Sequence, residues 1–257
     1  MIFLNRIKSF LFRLDYLKIH KSKYLYKYIY LICFKIVNLY RWVVSFFIKK
    51  KANNLDDFFK RIGIIWYGGN EGHTQQVKKE TDFLEKQSRS KTKILEIGFN
   101  GGHSSETFLN SNSSLTVDSI DIGYHHYVNF GKYYLKKRFT KRFNLHIGES
   151  RKVLPDLLKK ELIFDLIFID GSHEYKDVMT DLEICSKLSD KETLVILDDV
   201  YYAKDKDGLS SVDNHNLGPT NAWNEFKLKN LVTEDGYIEF ETENTNKRSI
   251  VYGKFIF

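Results

Sequence analysis

The fold of this chain is decided by residues 163–173, which read IFDLIFIDGSH. An apolar run ends there in Asp170-Gly171-Ser172-His173, and a second run, LVIL at residues 194–197, ends in Asp198-Asp199. Runs this apolar suit strands covered on both faces, as in a parallel sheet, and such sheets bind ligands beyond the carboxyl ends of their strands. The sequence therefore predicts that two buried strands bring three carboxylates and an imidazole to one edge of a sheet.

The three converging carboxylates are Asp170, Asp198 and Asp199. They repel one another unless a positive charge lies between them. An all-oxygen cluster suits Mg²⁺, Mn²⁺ or Ca²⁺ better than zinc or copper, so a hard divalent cation, Mg²⁺ or Mn²⁺, is the first hypothesis. The alternative is that acidic residues merely end strands at the solvent boundary.

Composition and charge divide the chain into two parts. Its 257 residues, 42% of them hydrophobic, suffice for one large α/β domain plus an extension. Residues 1–60 hold 13 Lys and Arg against 3 Asp and Glu, whereas the remainder holds 27 against 30. We therefore predict a basic amphipathic helical extension over 1–60 and the main domain over 61–257. No nucleic-acid partner is expected, because phosphate binding needs a basic surface on the binding domain itself.

The two cysteines, Cys33 and Cys185, lie far apart in sequence and in dissimilar contexts. They predict neither a disulfide framework nor a thiolate zinc site. A reducing compartment, the cytoplasm, is the expected location. No secretory signal is expected, because no uninterrupted apolar core leads to a small-residue cleavage site.

The extension is rich in aromatic residues, and residues 29–48 are long enough to span a bilayer. Lys35, Asn38, Arg41 and Ser45 recur there at helical spacing as one polar stripe. Two buried cations make spanning costly, so we expect a helix that lies in a membrane interface or packs on its own protein. Binding of residues 1–51 to an anionic membrane surface and helical packing, including a homo-oligomer, both stay open.

Strand and helix signals alternate from residue 74 onward. Strands are predicted at 93–97, 115–120, 143–147, 163–169 and 193–197, and helices near 74–87, 104–109, 125–139, 151–158, 175–188 and 220–231. This alternation is typical of a doubly wound sheet. Two closely linked terminal strands, 237–241 and 249–255, predict an antiparallel hairpin that a plain dinucleotide-binding fold does not have.

Cofactor-binding features follow the first three strands. Residues 96–104, EIGFNGGHS, form a glycine-rich turn before a helix, where backbone can approach an anionic ligand. The dinucleotide pattern G-x-G-x-x-G is not met, because Asn100 occupies its middle glycine position. Asp121 ends the second strand, where a carboxylate could accept two ribose hydroxyls, and Glu149 with Ser150 follows the third, where they could border an adenine. The alternatives are a plain turn, and helix-capping roles for Asp121 and Ser150.

In this order the motifs resemble those of the class I S-adenosylmethionine-dependent methyltransferases, and within them the metal-dependent O-methyltransferases related to catechol and sugar O-methyltransferases. The resemblance covers about 72–257 and rests on EIGFNGG at 96–102, Asp121, GES at 148–150, FIDGSH at 168–173 and ILDD at 196–199. It implies an α/β, doubly wound, Rossmann-like seven-stranded sheet with a C-terminal antiparallel hairpin.

The resemblance also implies roles by motif position. Glu96 and Gly98 would line the methionine end of S-adenosylmethionine, with Asn100, Gly101 and Asp170 completing that site; Asp121 would bind the ribose, Glu149 and Ser150 the adenine, and Asp170, Asp198 and Asp199 the metal. Two positions depart from the family pattern. Asn100 replaces a common glycine, and Asp199 stands where catechol-type enzymes have asparagine.

Methyl transfer to oxygen needs a nucleophile freed of its proton. A bound divalent cation lowers the pKa of a hydroxyl and fixes its orientation. His173, three residues beyond Asp170, is the predicted general base, with a loop or capping role as the alternative. We predict that His173 and Asp170 are catalytic.

The surroundings of this site are predicted from loop residues. The long polar loop at 200–219 is the expected lid. Tyr201, His215 and Trp223 are candidates for the acceptor pocket, Trp223 equally as a core residue, and residues 71–73 are expected to close over the cofactor.

The sequence thus predicts a Mg²⁺-dependent O-methyltransferase acting on a hydroxylated small molecule. A sugar or glycoconjugate is preferred over a catechol, because the Asp-Gly-Ser-His and Asp-Asp forms of the motifs look more like the sugar-modifying branch. The alternatives are a metal-independent N-methyltransferase and a non-catalytic, membrane-associated, cofactor-binding scaffold.

Overall fold

The computed structural model describes residues 23–49, 51–64, 73–202, 214–241 and 247–257. The chain divides into two compact units, Met1–Glu71 and Gly72–Phe257. The predicted domain boundary between residues 60 and 61 stays a prediction. Glu71, Gly72 and most of the expected lid lie outside the described residues.

The first unit contains two described helices, α1 (Lys23–Ile48) and α2 (Leu55–Arg61). Helix α2 begins where the Asn54 side chain accepts a hydrogen bond from the Asp57 amide, a standard N-cap. Among the described residues, the one stretch long and apolar enough to cross a membrane is Leu31–Ile48 in α1, with a mean hydropathy of 1.6.

The second unit alternates strands and helices as the sequence predicts. Its elements are α3 (Lys78–Ser88), β1 (Lys93–Ile97), α4 (His103–Ser111), β2 (Thr116–Asp121), α5 (Val128–Phe139), β3 (Phe143–Ile147), α6 (Ser150–Leu158), β4 (Leu166–Ile169), α7 (Tyr175–Ser186), β5 (Leu194–Asp198), α8 (Asn214–Leu228), β6 (Gly236–Glu241) and β7 (Lys247–Gly253).

The seven strands form one mixed sheet in the order β3-β2-β1-β4-β5-β7-β6. The first five strands pair in parallel, while β7 is antiparallel to both β5 and β6. The predicted Rossmann-like seven-stranded sheet with a C-terminal antiparallel hairpin is confirmed.

The central strands carry the core, as their apolar runs predict. Leu95, Ile167 and Val195 stand in register across β1, β4 and β5, and all three are fully buried. Because helices cover both faces of parallel strands, successive residues can all be apolar. These buried runs end together at one edge, which sets the position of the site.

Several element boundaries differ from the predicted ones. Strand β4 begins at Leu166 rather than at residue 163, and just before it the Asp165 carboxylate accepts hydrogen bonds from the backbone amides of Thr92 and Lys93. Helix α8 begins at Asn214 rather than at 220, and α5 begins at Val128 rather than at 125. These are tertiary adjustments that local pattern does not encode.

Candidate active site

The acidic edge of the sheet consists of Asp170, Asp198 and Asp199. Because Ile169 and Leu197 are partners in the parallel register of β4 and β5, the residues that follow them lie side by side. One carboxylate oxygen from each of the three aspartates lies within 4.8 Å of the other two. The structure thus brings together the three residues that the sequence predicts as metal ligands.

The environment of these carboxylates favours a cation. Asp198 is only 2% exposed, and its Oδ1 accepts a hydrogen bond of 2.8 Å from the Asp199 amide. Asp199 has a φ of +56°, a left-handed conformation that turns the chain sharply after β5. Burying a carboxylate beside two others is costly unless positive charge compensates, and oxygen donors are those that Mg²⁺ and Mn²⁺ prefer. The donor set therefore fits a hard divalent cation.

His173 reaches the same edge from the loop that follows β4. Its Nε2 lies 3.6 Å from Asp199 Oδ2, and its side chain is 27% exposed. Ser172 makes the side-chain bonds that begin α7: its hydroxyl donates to Asp177 and accepts from the Glu174 amide. The side chain of His173 is thus directed to the acidic edge, while its neighbour serves the helix.

A glycine in α8 holds the His173 loop in place. A Cβ atom on Gly218 would lie 1.9 Å from the His173 carbonyl oxygen and 2.8 Å from the Tyr175 amide nitrogen. Only glycine permits this approach of two backbones. Sequence reasoning missed Gly218, because its role depends on a contact between segments 45 residues apart.

The glycine-rich turn after β1 adjoins the acidic edge. Gly98 has a φ of +97°, and a Cβ atom there would lie 1.7 Å from the Asp170 carbonyl oxygen. Gly102, with a φ of +96°, is the residue from which α4 starts, and Gly101 packs its carbonyl against Gly131 of α5. The turn therefore requires glycine for close approach as well as for conformation.

Asp121 lies at the end of β2, beside this turn. Its Oδ2 accepts a 2.7 Å hydrogen bond from the Asn100 amide, and its Oδ1 accepts one of 2.7 Å from the Gly123 amide. These bonds fix the carboxylate, and each oxygen keeps a further lone pair for a ligand hydroxyl. Asn100 has a φ of +50°, which explains why an asparagine can replace the common glycine.

Glu96 is the buried carboxyl near the end of β1, and its assignment to the cofactor stays a prediction. It is fully buried, and its carboxylate accepts hydrogen bonds from Ser104, Ser105 and Ser119. Burial raises the pKa of Glu96 to about 7, and the three hydroxyls oppose that shift. One of these partners, Ser104, also lines the pocket described below.

Glu149 and Ser150 lie at the start of α6. Glu149 pairs with Lys152 at 2.9 Å and Arg151 at 2.7 Å, and the hydrogen bonds from Lys152 and then Arg151 lower its pKa. Ser150 hydrogen-bonds to Asp181 of α7, whose pKa rises to about 6 because that carboxyl is buried. Their assignment to the adenine stays a prediction.

A small pocket opens between the glycine-rich turn and the acidic edge. It is lined by His73, Thr74, Gly98, Phe99, Asn100, Gly101, His103, Ser104 and Asp170. The imidazoles of His73 and His103 stack in its wall, with ring centroids 3.7 Å apart and an interplanar angle of 10°. Sequence reasoning missed His103 and Thr74; a histidine directly after a glycine pair at a helix start was the available signal.

The acceptor-pocket candidates have separate positions. Tyr201 is half-buried after β5, and its amide donates to Thr220 of α8. Trp223 is fully buried, and its Nε1 donates to Glu234 at 2.7 Å, so it belongs to the core. His215 lies within α8, and its side chain is outside the described part of the chain.

The sequence of this region matches a known protein family. Residues 95–200, from β1 to just past the acidic edge, match the model described as a methyltransferase domain. Residues 95–200 thus form a methyltransferase domain. Both the fold and the enzyme class predicted from the motifs are confirmed. No curated protein sequence matches the chain.

Solved structures give the same fold at low sequence identity. This methyltransferase resembles an O-methyltransferase from Bacillus cereus bound to S-adenosylhomocysteine, with a TM-score of 0.63, 17% identity, and coverage of 85% of this chain and 99% of that one. It also resembles the O-methyltransferase TomG from Streptomyces achromogenes, bound to S-adenosylmethionine, with a TM-score of 0.60, 16% identity, and coverage of 84% and 96%. A third structure, of a caffeoyl-CoA O-methyltransferase-like protein from Staphylococcus aureus, has a TM-score of 0.56 and 16% identity, and the match covers 84% of this chain and 99% of that one.

Proposed function

We propose that this methyltransferase transfers the methyl group of S-adenosylmethionine to a hydroxyl of a small acceptor, with Mg²⁺ or Mn²⁺ held by Asp170, Asp198 and Asp199. The observation that carries the proposal is the convergence of these carboxylates within 4.8 Å beyond the carboxyl ends of β4 and β5, the edge at which parallel sheets generally bind ligands. Structural neighbours that are O-methyltransferases bound to S-adenosylmethionine or its product support the same reaction class.

The cofactor would bind along the carboxyl ends of β1 and β2. Asp121 would accept the ribose hydroxyls, and the open backbone at Gly98 and Gly101 would admit the methionine end. His73, His103 and the Ser104 hydroxyl line the pocket at the start of α4. Imidazoles, a hydroxyl and helix-start amides suit the carboxylate of the methionine moiety.

The acidic edge would then prepare the acceptor. A hard divalent cation bound there would lower the pKa of the acceptor hydroxyl and fix its orientation. His173 would take the hydroxyl proton on its imidazole. The Asp199 carboxylate, 3.6 Å from Nε2, would stabilise the resulting imidazolium.

The acceptor class follows from the motif forms. We favour a sugar or glycoconjugate over a catechol, and we keep a cytoplasmic location and a homo-oligomer as predictions.

The test is a transfer assay with labelled S-adenosylmethionine and a panel of sugars, glycoconjugates, catechols and matched amines, with Mg²⁺ and then with excess chelator.

We expect the label on a hydroxylated acceptor only when Mg²⁺ or Mn²⁺ is present, with activity returning when the metal is restored. Transfer to an amine that is insensitive to chelator would replace this proposal with metal-independent N-methylation. Binding of S-adenosylhomocysteine without transfer to any acceptor class would favour the non-catalytic scaffold.

The proposed contact of His73 and His103 with the methionine carboxylate of the cofactor can be tested separately. His103→Ala should weaken S-adenosylhomocysteine binding by about tenfold, the scale for one hydrogen bond to a charged group. Binding of 5′-methylthioadenosine, which lacks the amino-acid part, should change little. Equal losses for both ligands would show that His103 supports the fold of the turn and does not contact the carboxylate.

A further inference from the structure

Helix α1 presents an apolar face to the outside of the protein. Only 6% of the residues in its apolar stretch, Leu31–Ile48, are buried. The exposed side chains on this face are Leu31, Ile32, Ile36, Leu39, Trp42, Val43, Phe46 and Phe47, with Leu39 at 66% and Phe47 at 69%. This face is far more apolar than a solvated helix surface, which marks it as an interaction surface.

Arg41 and Ser45 are turned away from that face. Arg41 donates to the backbone carbonyls of Gly63 at 2.9 Å and Ile62 at 3.3 Å, and to Asn38 at 3.3 Å. Ser45 is fully buried and donates to the Arg41 carbonyl. Arg41, one of the two cations that make a membrane-spanning helix costly, therefore has its hydrogen-bond partners inside the N-terminal unit. Lys35 departs from the predicted stripe and is exposed.

Helix α2 gives this unit a second, polar side. Helices α1 and α2 contact each other, and the exposed residues of α2 include Asp56, Lys60 and Arg61. A membrane-spanning helix must be surrounded by apolar groups, which the charged surface of α2 does not provide. A unit with one apolar side and one charged side suits the plane of a membrane interface instead.

The charge of this region selects the type of partner. No acidic residue occurs between Asp15 and Asp56, whereas nine lysines and arginines do. Lys49 lies at the end of α1, with its Nζ 4.1 Å from the centre of the Phe46 ring. Anionic lipid headgroups attract such a cluster, whereas a second copy of the same face would bring like charges together.

We infer that the outward face of α1 (Leu31, Ile32, Ile36, Leu39, Trp42, Val43, Phe46 and Phe47) inserts into the headgroup region of an anionic membrane, with α2 directed to water. The catalytic unit would thereby be held at a membrane surface. This inference does not depend on the methyl acceptor or on the metal.

Flotation with lipid vesicles tests the inference on the full-length protein. We expect binding to vesicles of 70% phosphatidylcholine and 30% phosphatidylglycerol, weaker binding to pure phosphatidylcholine, and loss of the difference in high salt. The double variant Leu39→Ser/Phe47→Ser should reduce binding at least tenfold. The matched control, Leu228→Ser/Phe257→Ser, removes two apolar side chains outside the N-terminal unit that are more exposed than Leu39 and Phe47, and it should bind as the native protein does.

A second measurement needs no change to the proposed face. In a Trp66→Phe background, brominated lipids should quench the fluorescence of Trp42 on the outward face and leave that of buried Trp223 unchanged. Undiminished vesicle binding by Leu39→Ser/Phe47→Ser, or unquenched Trp42, would overturn the inference. So would a concentration-dependent dimer without lipid that the same two substitutions abolish, because the occupant would then be a second copy.

Discussion

The carboxylates at the two halves of the proposed ligand-binding edge have different surroundings. On the β1–β2 side, Glu96 is surrounded by three serine hydroxyls and Asp121 by two backbone amides. On the β4–β5 side, three aspartates converge within 4.8 Å, so negative charge is concentrated. The first half is preformed by hydrogen bonds from its own chain, whereas we propose that the second binds a ligand that brings positive charge. We therefore expect the two halves to respond separately to mutation.

The largest expected effect comes from the acidic edge. Asp198→Asn should lower turnover by about a thousandfold, because metal assistance contributes several kcal/mol and each 1.36 kcal/mol is tenfold. Binding of S-adenosylhomocysteine should stay within a factor of about two. Asp156→Asn, an exposed carboxylate on α6, is the matched control. Near-native turnover of Asp198→Asn in excess chelator would remove the metal from the mechanism.

The next effect concerns the base. His173→Ala should lower turnover by about a hundredfold, the usual contribution of a general base, with little change in cofactor or metal affinity. His146→Ala, on β3, is the control histidine. A variant with native turnover would leave His173 as a loop residue, and the base would then be Asp199.

A moderate effect is expected on the cofactor side. Asp121→Ala should weaken S-adenosylmethionine binding by about 1–3 kcal/mol, the scale for losing a charged acceptor. Metal affinity should not change, which separates this residue from the acidic edge. Calorimetric titration with S-adenosylmethionine and with Mg²⁺ measures the two affinities. Unchanged cofactor affinity would exclude Asp121 from the site.

The last expected effect is on the stability of the protein and not on turnover or ligand binding, and it comes from the buried carboxyl of Glu96. The pKa of Glu96 is raised from 4.5 to about 7, so the native state binds its proton more tightly than the unfolded state. Its contribution is fully present below about pH 4.5 and is lost as the pH rises through about 7. The free energy of unfolding of the native protein should therefore fall across this window relative to Glu96→Gln. A constant difference between the two proteins would contradict the shifted pKa.

Local sequence pattern was enough to locate the strands and the residues that end them. Asp170 and Asp198 each follow an apolar run and Asp121 ends β2, and in a parallel sheet such ends must meet at one edge. The pattern could not show that Glu96 is enclosed by serines, because Ser119 belongs to another strand. It also could not identify His103 and Gly218, whose contacts depend on how distant segments approach one another.

The N-terminal helix illustrates the same limit. Its helical spacing predicted a polar stripe, and the structure keeps Arg41 and Ser45 together on one face. Which face is exposed depends on the hydrogen bonds from Arg41 to the segment at 62–63. The helical spacing of residues cannot predict this tertiary contact. Arg41 and Ser45 of the stripe lie on the inner face, whereas Lys35 is exposed with the apolar side.

The central claim is that one half of the edge binds the cofactor by itself and the other binds a divalent cation. The most direct measurement is calorimetric titration of metal-free protein, first with S-adenosylhomocysteine and then with Mn²⁺, for the native protein and for Asp198→Asn. We predict cofactor binding of equal strength in both proteins without metal, and a Mn²⁺ affinity at least tenfold lower in the variant. Equal Mn²⁺ affinity in the two proteins would contradict the claim.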